Sequence, residues 1–281
     1  MKGKTVLVTG ATDGIGKATA LQLAGLGARV IVHGRSADRI QRVVGEISEA
    51  KGIPAEGLQA DFSSIACVRD CGAEILKRFS RLDVLVHNAG VFEADRRLTV
   101  DGFESTFAVN HLAPFLLTHA VLDLLRQSAP ARIVLVSSIT HVNSACDFNN
   151  LQGEKSYDGR KAYSLSKLAN ALFTVELAQR LRGSGITVNC LHPGVIATKL
   201  LRAGFGNMSA ASTARGAETS VYLSSSQEVE GVSGKYFVNR QEADPSPLVH
   251  NVAFRSRLWQ LTELYVGIPA GHYGEANGRP S

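Results

Sequence analysis

The chain has 281 residues, 44% of them hydrophobic and 20% charged, an ordinary mixture for a folded globular domain. That balance excludes a disordered chain, a collagen-like repeat and a coiled-coil rod. Thirty Lys and Arg against twenty-five Asp and Glu leave a formal charge of +5, too small and too scattered to indicate nucleic acid as a partner.

Met1-Lys2-Gly3-Lys4 leads directly into a short apolar run that stops at Gly10, which is not the core of a signal peptide. The longest apolar stretch, residues 112–125, is interrupted by Pro114, His119 and Asp123 and falls short of a membrane span, so it reads as a buried helix. The expectation is a cytoplasmic protein with no membrane span. Cys67, Cys71, Cys146 and Cys190 form no CxxC pair and have no His at zinc-site spacing, so no metal is expected and the thiols are read as free.

In chain order, β-branched runs at 5–9, 29–33, 55–60, 82–87, 132–137 and 186–191 alternate with helical patterns at 16–26, 37–50, 64–79, 101–127 and 161–182. A further strand is expected at 235–238 and an amphipathic helix at 252–266, followed by a frayed polar tail. Continuous Val, Ile and Leu strands suit a parallel sheet buried on both faces. The βαβ rhythm predicts an α/β fold: one Rossmann domain over residues 1–281, a doubly wound, mostly parallel sheet of about seven strands flanked by helices. Residues 141–160 and 196–213 interrupt the rhythm and are read as loops that contact substrate.

Thr9-Gly10-Ala11-Thr12-Asp13-Gly14-Ile15-Gly16 joins the first strand to the first helix. Glycines there let the backbone approach a pyrophosphate, and the helix N-terminus supplies free N–H groups. The alternative, a triphosphate-binding loop ending at Gly16-Lys17, would need Gly at 11 and Ser or Thr at 18, where Ala11 and Ala18 stand. A dinucleotide is therefore the expected ligand. The second strand ends in His33-Gly34-Arg35-Ser36 with no acidic residue until Asp38. Arg35 can pair with a 2′-phosphate, which predicts NADP(H) in preference to NAD(H).

Tyr163 and Lys167 lie four residues apart in a helical stretch and share one face, while Ser137-Ser138 closes the fifth strand at the ligand-binding edge of such a sheet. An ammonium near a phenol is expected to lower its pKa and make Tyr163 a usable proton donor and acceptor. Tyr157 is a poorer candidate, because Asp158-Gly159 separates it from Lys161.

These residues together resemble the short-chain dehydrogenase/reductase family. The resemblance rests on TGxxxGxG at 9–16, His87-Asn88-Ala89-Gly90, Asn110, Ser138, YxxxK at 163–167 and Pro193-Gly194, in the family's order. It implies Tyr163 as general acid/base, Lys167 holding the nicotinamide ribose, Ser138 polarising the substrate oxygen, and Asn110 in a proton relay within a kinked helix. It also implies a structural Asn88, an adenine contact at Asp61-Phe62, and cofactor contacts at Gly10, Thr12, Asp13, Gly14, Ile15, Gly16, Ala89, Gly90, Pro193, Gly194, Val195 and Thr198. The 25-residue gap from Ser138 to Tyr163, with Asp147-Phe148-Asn149-Asn150-Leu151 and His141, is similar to the retinol-dehydrogenase-like branch, which includes the WW-domain oxidoreductases. No counterpart of the N-terminal membrane anchor of several retinol dehydrogenases is expected, and with it no lipid-embedded retinoid as substrate.

The expected reaction interconverts an alcohol and an aldehyde or ketone. Phe148, Leu151, Leu200, Leu201 and Phe205 on the two loops point to an apolar small molecule, an aliphatic, aromatic or terpenoid carbonyl compound. The resemblance implies a homodimer or homotetramer built on the helices at 101–127 and 161–182. Two local readings of His141 stay open, a substrate contact or a solvated loop residue, and Trp259 and Tyr265 are read as packing residues. A rival from another class is a non-catalytic NADP(H)-binding sensor or regulatory protein, against which the intact Ser/Tyr/Lys set argues.

Overall fold

The computed structural model describes residues 1–52, 54–206 and 208–269. The polar tail expected after the last helix and Asn207 of the second loop lie outside the described residues.

Eight strands form one sheet in the order β3-β2-β1-β4-β5-β6-β7-β8. They are β1 (Thr5–Val8), β2 (Arg29–Gly34), β3 (Ala55–Gln59), β4 (Val84–His87), β5 (Ala131–Val136), β6 (Ile186–His192), β7 (Tyr236–Val238) and β8 (Gln241–Ala243). All pairs are parallel except β7 with β8. The sequence reading expected about seven strands and missed β8. Its three residues, Gln-Glu-Ala, carry no apolar pattern, and only the hairpin pairing with β7 makes them a strand.

Alternate strand residues feed two cores. Leu7, Ile31, Leu85, Ile133 and Leu135 point to one face, where they meet the helices α3 (Ile65–Arg78), α5 (Ala113–Ala120), α7 (Gly159–Arg180) and α10 (Val252–Val266). Val6, Val8, Val30, Val32, Val84, Val86, Val134 and Val136 point to the other, covered by α1 (Gly14–Gly25), α2 (Ala37–Lys51) and α9 (Thr213–Ser225). A buried two-sided sheet explains why the strands read as unbroken Val, Ile and Leu.

Two further helical expectations need correction. The helix α9 was not anticipated, because Thr-Ala-Arg-Gly-Ala-Glu-Thr-Ser-Val-Tyr-Leu-Ser-Ser lacks a broad apolar stripe. It forms because Ser212 caps its N-terminus, accepting from Arg215 N–H, and because buried Gly216, Ala217 and Ser220 permit close packing against α1. The single helix expected over 101–127 is segmented: α4 (Ser105–Phe107), a π-helical turn (Ala108–Leu112), α5, and α6 (Leu122–Gln127). The wide turn contains Asn110, and such insertions concentrate at functional sites.

On its outer side α7 meets α10. There Phe115, Phe173 and Trp259 form an aromatic cluster with ring centroids 4.8–5.8 Å apart. The buried Arg255 donates to Glu176 and Gln179 of α7, and Arg180 lies 4.2 Å over the Trp259 ring. Trp259 is thus a packing residue, fully enclosed, while Tyr265 rests at a tilt against Phe103. No helix among the described residues is long and apolar enough to cross a membrane.

Phe115→Ala should cost about 3–5 kcal/mol of unfolding free energy, the usual loss for a large buried ring. Urea denaturation checks this, and a loss below about 1 kcal/mol would mean that the α5–α7–α10 cluster is not packed as described.

Candidate active site

Because the parallel strands end level with one another, their carboxyl termini deliver one residue group after another to a single edge. Gly10 follows β1, Arg35 follows β2, Asp61 lies just after β3, Asn88 follows β4, Ser138 lies just after β5, and Pro193 follows β6. The strand order reverses between β1 and β4, and the crevice beside that switch point is where open α/β sheets take ligands.

The glycine turn fits that crevice. Gly10 has φ +63°, and a Cβ there would lie 2.8 Å from Ala89 Cα. A Cβ on Gly16 would collide with Asn88 Nδ2 and Gly10 O. Asn88 is the clasp across the switch point: its Nδ2 donates to Thr9 O (2.8 Å) and Gly10 O (3.2 Å), while its own N–H and that of Ala89 donate to Thr9 Oγ1. Asp13 caps α1 and ion-pairs with Lys199 across 2.7 Å, and this hydrogen bond from Lys199 is the main reason its carboxyl sits below the usual range. Thr198 caps α8 (Lys199–Phe205), and its methyl is 3.6 Å from a Cβ built on Gly14, so the second loop reaches the glycine turn. Gly194 has φ +94°, Val195 is exposed, and Thr12 packs against Gly34. Ile15 meets the α9 side near Gly216. Free helix-terminal N–H groups beside glycines whose Cβ space is filled are what a pyrophosphate-binding turn requires, so these residues fit a dinucleotide.

His33 was not singled out beforehand, yet it props this turn. Its Nδ1 accepts from Gly10 N–H at 3.2 Å, so Nε2 carries the hydrogen and donates to Ala60 O at 3.2 Å. Burial pushes its pKa down to about 4, keeping the ring neutral. Phe62 stacks on it with centroids 4.1 Å apart and is buried, so its ring serves packing and only its backbone is left for a ligand. Asp61 accepts from Ser63 N–H and Oγ–H, and Arg35 is exposed at the end of β2. A histidine facing a glycine turn one strand away has no local signature; only the β1–β2 register brings the two together.

At the other side of the crevice α7 presents Tyr163 and Lys167 inward, both buried. Asp158 caps this helix, which leaves Tyr157 outside it. The Tyr157 hydroxyl bonds to Glu93 O and the Glu104 carboxylate, and so pins the first loop rather than entering the site. The Ser138 hydroxyl lies close enough to the Tyr163 phenol to work against the rise in its pKa. Lys167 Nζ lies 5.5 Å from the Tyr163 ring centroid and donates to Val136 O at 2.9 Å. Asn110 Oδ1 accepts from Val91 N–H, and its Nδ2 donates to Val91 O and Ser166 Oγ. A Cβ on Gly90 would meet Asn110 Oδ1 at 3.3 Å and Lys167 Nζ at 3.5 Å, so Gly90, Asn110 and Lys167 surround one point. Ser166, also unremarked in the sequence, bridges Asn110 to Tyr163 O.

Three expectations change here. The Tyr163 pKa is not lowered: burial pushes it up to about 12, against which the Ser138 hydroxyl works only partly. Lys167 is itself desolvated and pulled down to about 8, so it is a weakened cation. His141 is neither solvated nor open to substrate, being fully buried with both ring nitrogens bonded to backbone. Phe148 and Leu151 also leave the expected substrate surface. Phe148 packs on Phe254 and Arg257, and Leu151 joins the core, because the first loop folds back over the helices. Phe205 does reach the site: its ring lies 5.9 Å from Tyr163 and 6.1 Å from Phe92, which itself lies 6.1 Å from Tyr163. Arg160 stacks over Phe205 and donates to Gly204 O, holding α8 against α7. Among the described residues no group of His, Cys, Asp and Glu could hold a metal ion.

The family described as short chain dehydrogenase matches residues 4–207. The chain is 44% identical to retinol dehydrogenase 14 of Mus musculus, over 95% of this chain and 87% of that protein. Among solved structures it is similar to an uncharacterized protein from Mycobacterium paratuberculosis, with a TM-score of 0.78, 30% identity, and 95% and 94% of the two chains covered. A short chain dehydrogenase from Burkholderia cenocepacia in complex with NADP gives a TM-score of 0.68 and 31% identity, with 84% and 96% covered.

The depressed Lys167 pKa has a measurable sign. The unfolded chain binds more protons than the folded one between about pH 8 and pH 10.5, so this group adds stability as pH rises through that window. Relative to Lys167→Met, the parent should gain on the order of 2–3 kcal/mol of unfolding free energy across it. Urea denaturation of both proteins at pH 7.5 and 10 measures the gain; a flat or falling difference contradicts a buried ammonium.

Proposed function

This chain belongs to the short chain dehydrogenase family, in its retinol-dehydrogenase-like branch, and on that footing we propose that it interconverts an alcohol and an aldehyde or ketone with Tyr163 exchanging the proton. The observation that carries the reading is the joined set of Ser138, Tyr163, Lys167 and Asn110, buried at the same sheet edge as the glycine turn.

A nicotinamide dinucleotide, when bound, supplies or accepts the hydride. The residues that would hold it are the turn from Gly10 to Gly16, Asn88-Ala89-Gly90, Asp61-Phe62, Lys167, and the run from Pro193 to Thr198. In this mechanism Ser138 and Tyr163 both aim donors at the substrate oxygen, a small preorganised site for the negative charge that develops there on reduction. Burial keeps the phenol protonated, the form that can give its proton to a substrate carbonyl oxygen, and the same group takes the proton back when an alcohol is oxidised. Lys167 stabilises the phenolate left behind, and its fixed contact with Val136 O keeps it oriented toward the tyrosine ring. Asn110, bonded to Val91 and Ser166, holds the wide helical turn beside them.

Arg35 supports NADP(H) over NAD(H), since it is exposed just past β2, the strand end at which such folds read the ribose 2′ position, and the nearest acidic side chain in sequence is Asp38. Phe92 and Phe205 flanking Tyr163 support an apolar substrate. The unpaired state of Cys67, Cys71, Cys146 and Cys190 supports a cytoplasmic location. The homodimer or homotetramer implied by the resemblance would form away from the aromatic face of α5 and α7, since α10 covers it.

Tyr163→Phe should lower the rate of NADPH-dependent carbonyl reduction about 10²–10⁴-fold while cofactor binding persists. Undiminished turnover would remove Tyr163 from the proton transfer, and binding without turnover by the parent across a broad carbonyl and alcohol panel would favour a nucleotide sensor. Arg35→Asp should reduce kcat/KM for NADPH at least about tenfold and leave NADH use unchanged or improved. Equal kcat/KM for the two cofactors in the parent would defeat the NADP(H) preference.

A further inference from the structure

Ser138, two residues past the end of β5, is in extended conformation, and a 3-10 turn, Ile139–His141, follows at once. Two features fix this serine. Its Oγ accepts from Thr140 N–H at 3.3 Å, which restrains the side-chain torsion. Its carbonyl oxygen accepts twice from His141, from the backbone N–H at 3.2 Å and from the ring Nδ1–H at 2.6 Å, which restrains the peptide that carries it. The direction of the ring bond follows from the opposite nitrogen. Nε2 accepts from Ser246 N–H at 3.3 Å, so it holds no hydrogen, and in a neutral ring the hydrogen is on Nδ1.

The ring itself is immobilised. His141 is fully buried, and Tyr236 of β7 packs edge-on against it with centroids 4.7 Å apart. Ser246, also buried, lies 105 residues further along the chain, in the segment between β8 and the 3-10 turn Pro247–His250 that leads into α10. A buried backbone N–H with no other acceptor would cost free energy on its own, so the imidazole serves both of its ends.

We propose that His141 is a positioning residue for Ser138: its neutral imidazole clamps the Ser138 carbonyl, fixes where Ser138 Oγ stands relative to Tyr163, and couples that placement to the segment at Ser246. This rests on the reading of Ser138 as a donor to the substrate oxygen. A hydroxyl aimed at a developing charge acts only within a narrow range of positions, and displacement by about 1 Å can cost on the order of 10²-fold in rate.

A double-mutant cycle tests it, using purified full-length protein, NADPH and one carbonyl substrate that the parent reduces. His141→Phe keeps a ring and loses both hydrogen bonds; kcat should fall about 10–100-fold, with the NADPH dissociation constant within about twofold of the parent. His141→Asn can still donate to Ser138 O and should recover most of that loss. In a Ser138→Ala background His141→Phe should have no further effect, since the clamp then holds nothing that acts. Additive losses in the cycle, or His141→Asn as impaired as His141→Phe, overturn the proposal. Ser138→Ala with parental kcat overturns the reading of Ser138 and the clamp with it, whereas an impaired Ser138→Ala beside a parental His141→Phe overturns the clamp alone. Should His141→Phe fail to fold, Ser246→Pro provides the same test from the other end. It removes the N–H that Nε2 accepts, and the native φ of −52° already suits proline. A fall in kcat of about threefold or more that vanishes in the Ser138→Ala background supports the coupling, and a parental kcat overturns it.

Discussion

The site depends on strand register. Val8 lies level with Val32 on one side and Val86 on the other, Val86 with Val134, and Val136 with Leu191. The polar residues that follow these strands therefore emerge along one line, at one depth. A slip of one residue on any of them would turn its core side chains to the other face and carry its site residue out of line. The two separate apolar cores, one behind each face, are what forbid that slip.

On that edge most polar groups are held by other polar groups rather than by water. Asn88 spends its amide on Thr9 and Gly10, Asn110 spends its own on Val91 and Ser166, and Ser137 Oγ donates to Lys167 O. Such a network is costly if any member is left unpaired and rigid if all are satisfied. Rigidity is the benefit, since it holds hydroxyl, phenol and ammonium in one fixed arrangement. Burial is also what sets their protonation: the phenol is kept neutral and the ammonium is weakened, for the same lack of solvation.

The last third of the chain extends this frame. The helix α9 closes the valine face against α1, α10 covers the aromatic face of α5 and α7, and the segment around Ser246 reaches the turn after β5. These residues lack the dense motifs of the first two hundred, yet they touch Ser138 through His141 and enclose the helix that carries Tyr163.

Much of this was legible from residue order alone. The strands of Val, Ile and Leu, the glycine turn at the first strand-to-helix junction, the serine at the end of the fifth strand and the Tyr163–Lys167 spacing each carry a local signal, because backbone conformation and helical period are properties of neighbouring residues. What stayed hidden was everything set by contacts distant along the chain. His33 meets Gly10 across two strands, His141 meets Ser246 across 105 residues, and the polar helix α9 and short β8 exist through what they pack or pair with. The Tyr163 pKa belongs to the same class. Spacing placed an ammonium nearby, but only the tertiary structure decided how much water the phenol and the ammonium lose, and that loss sets the direction of both shifts.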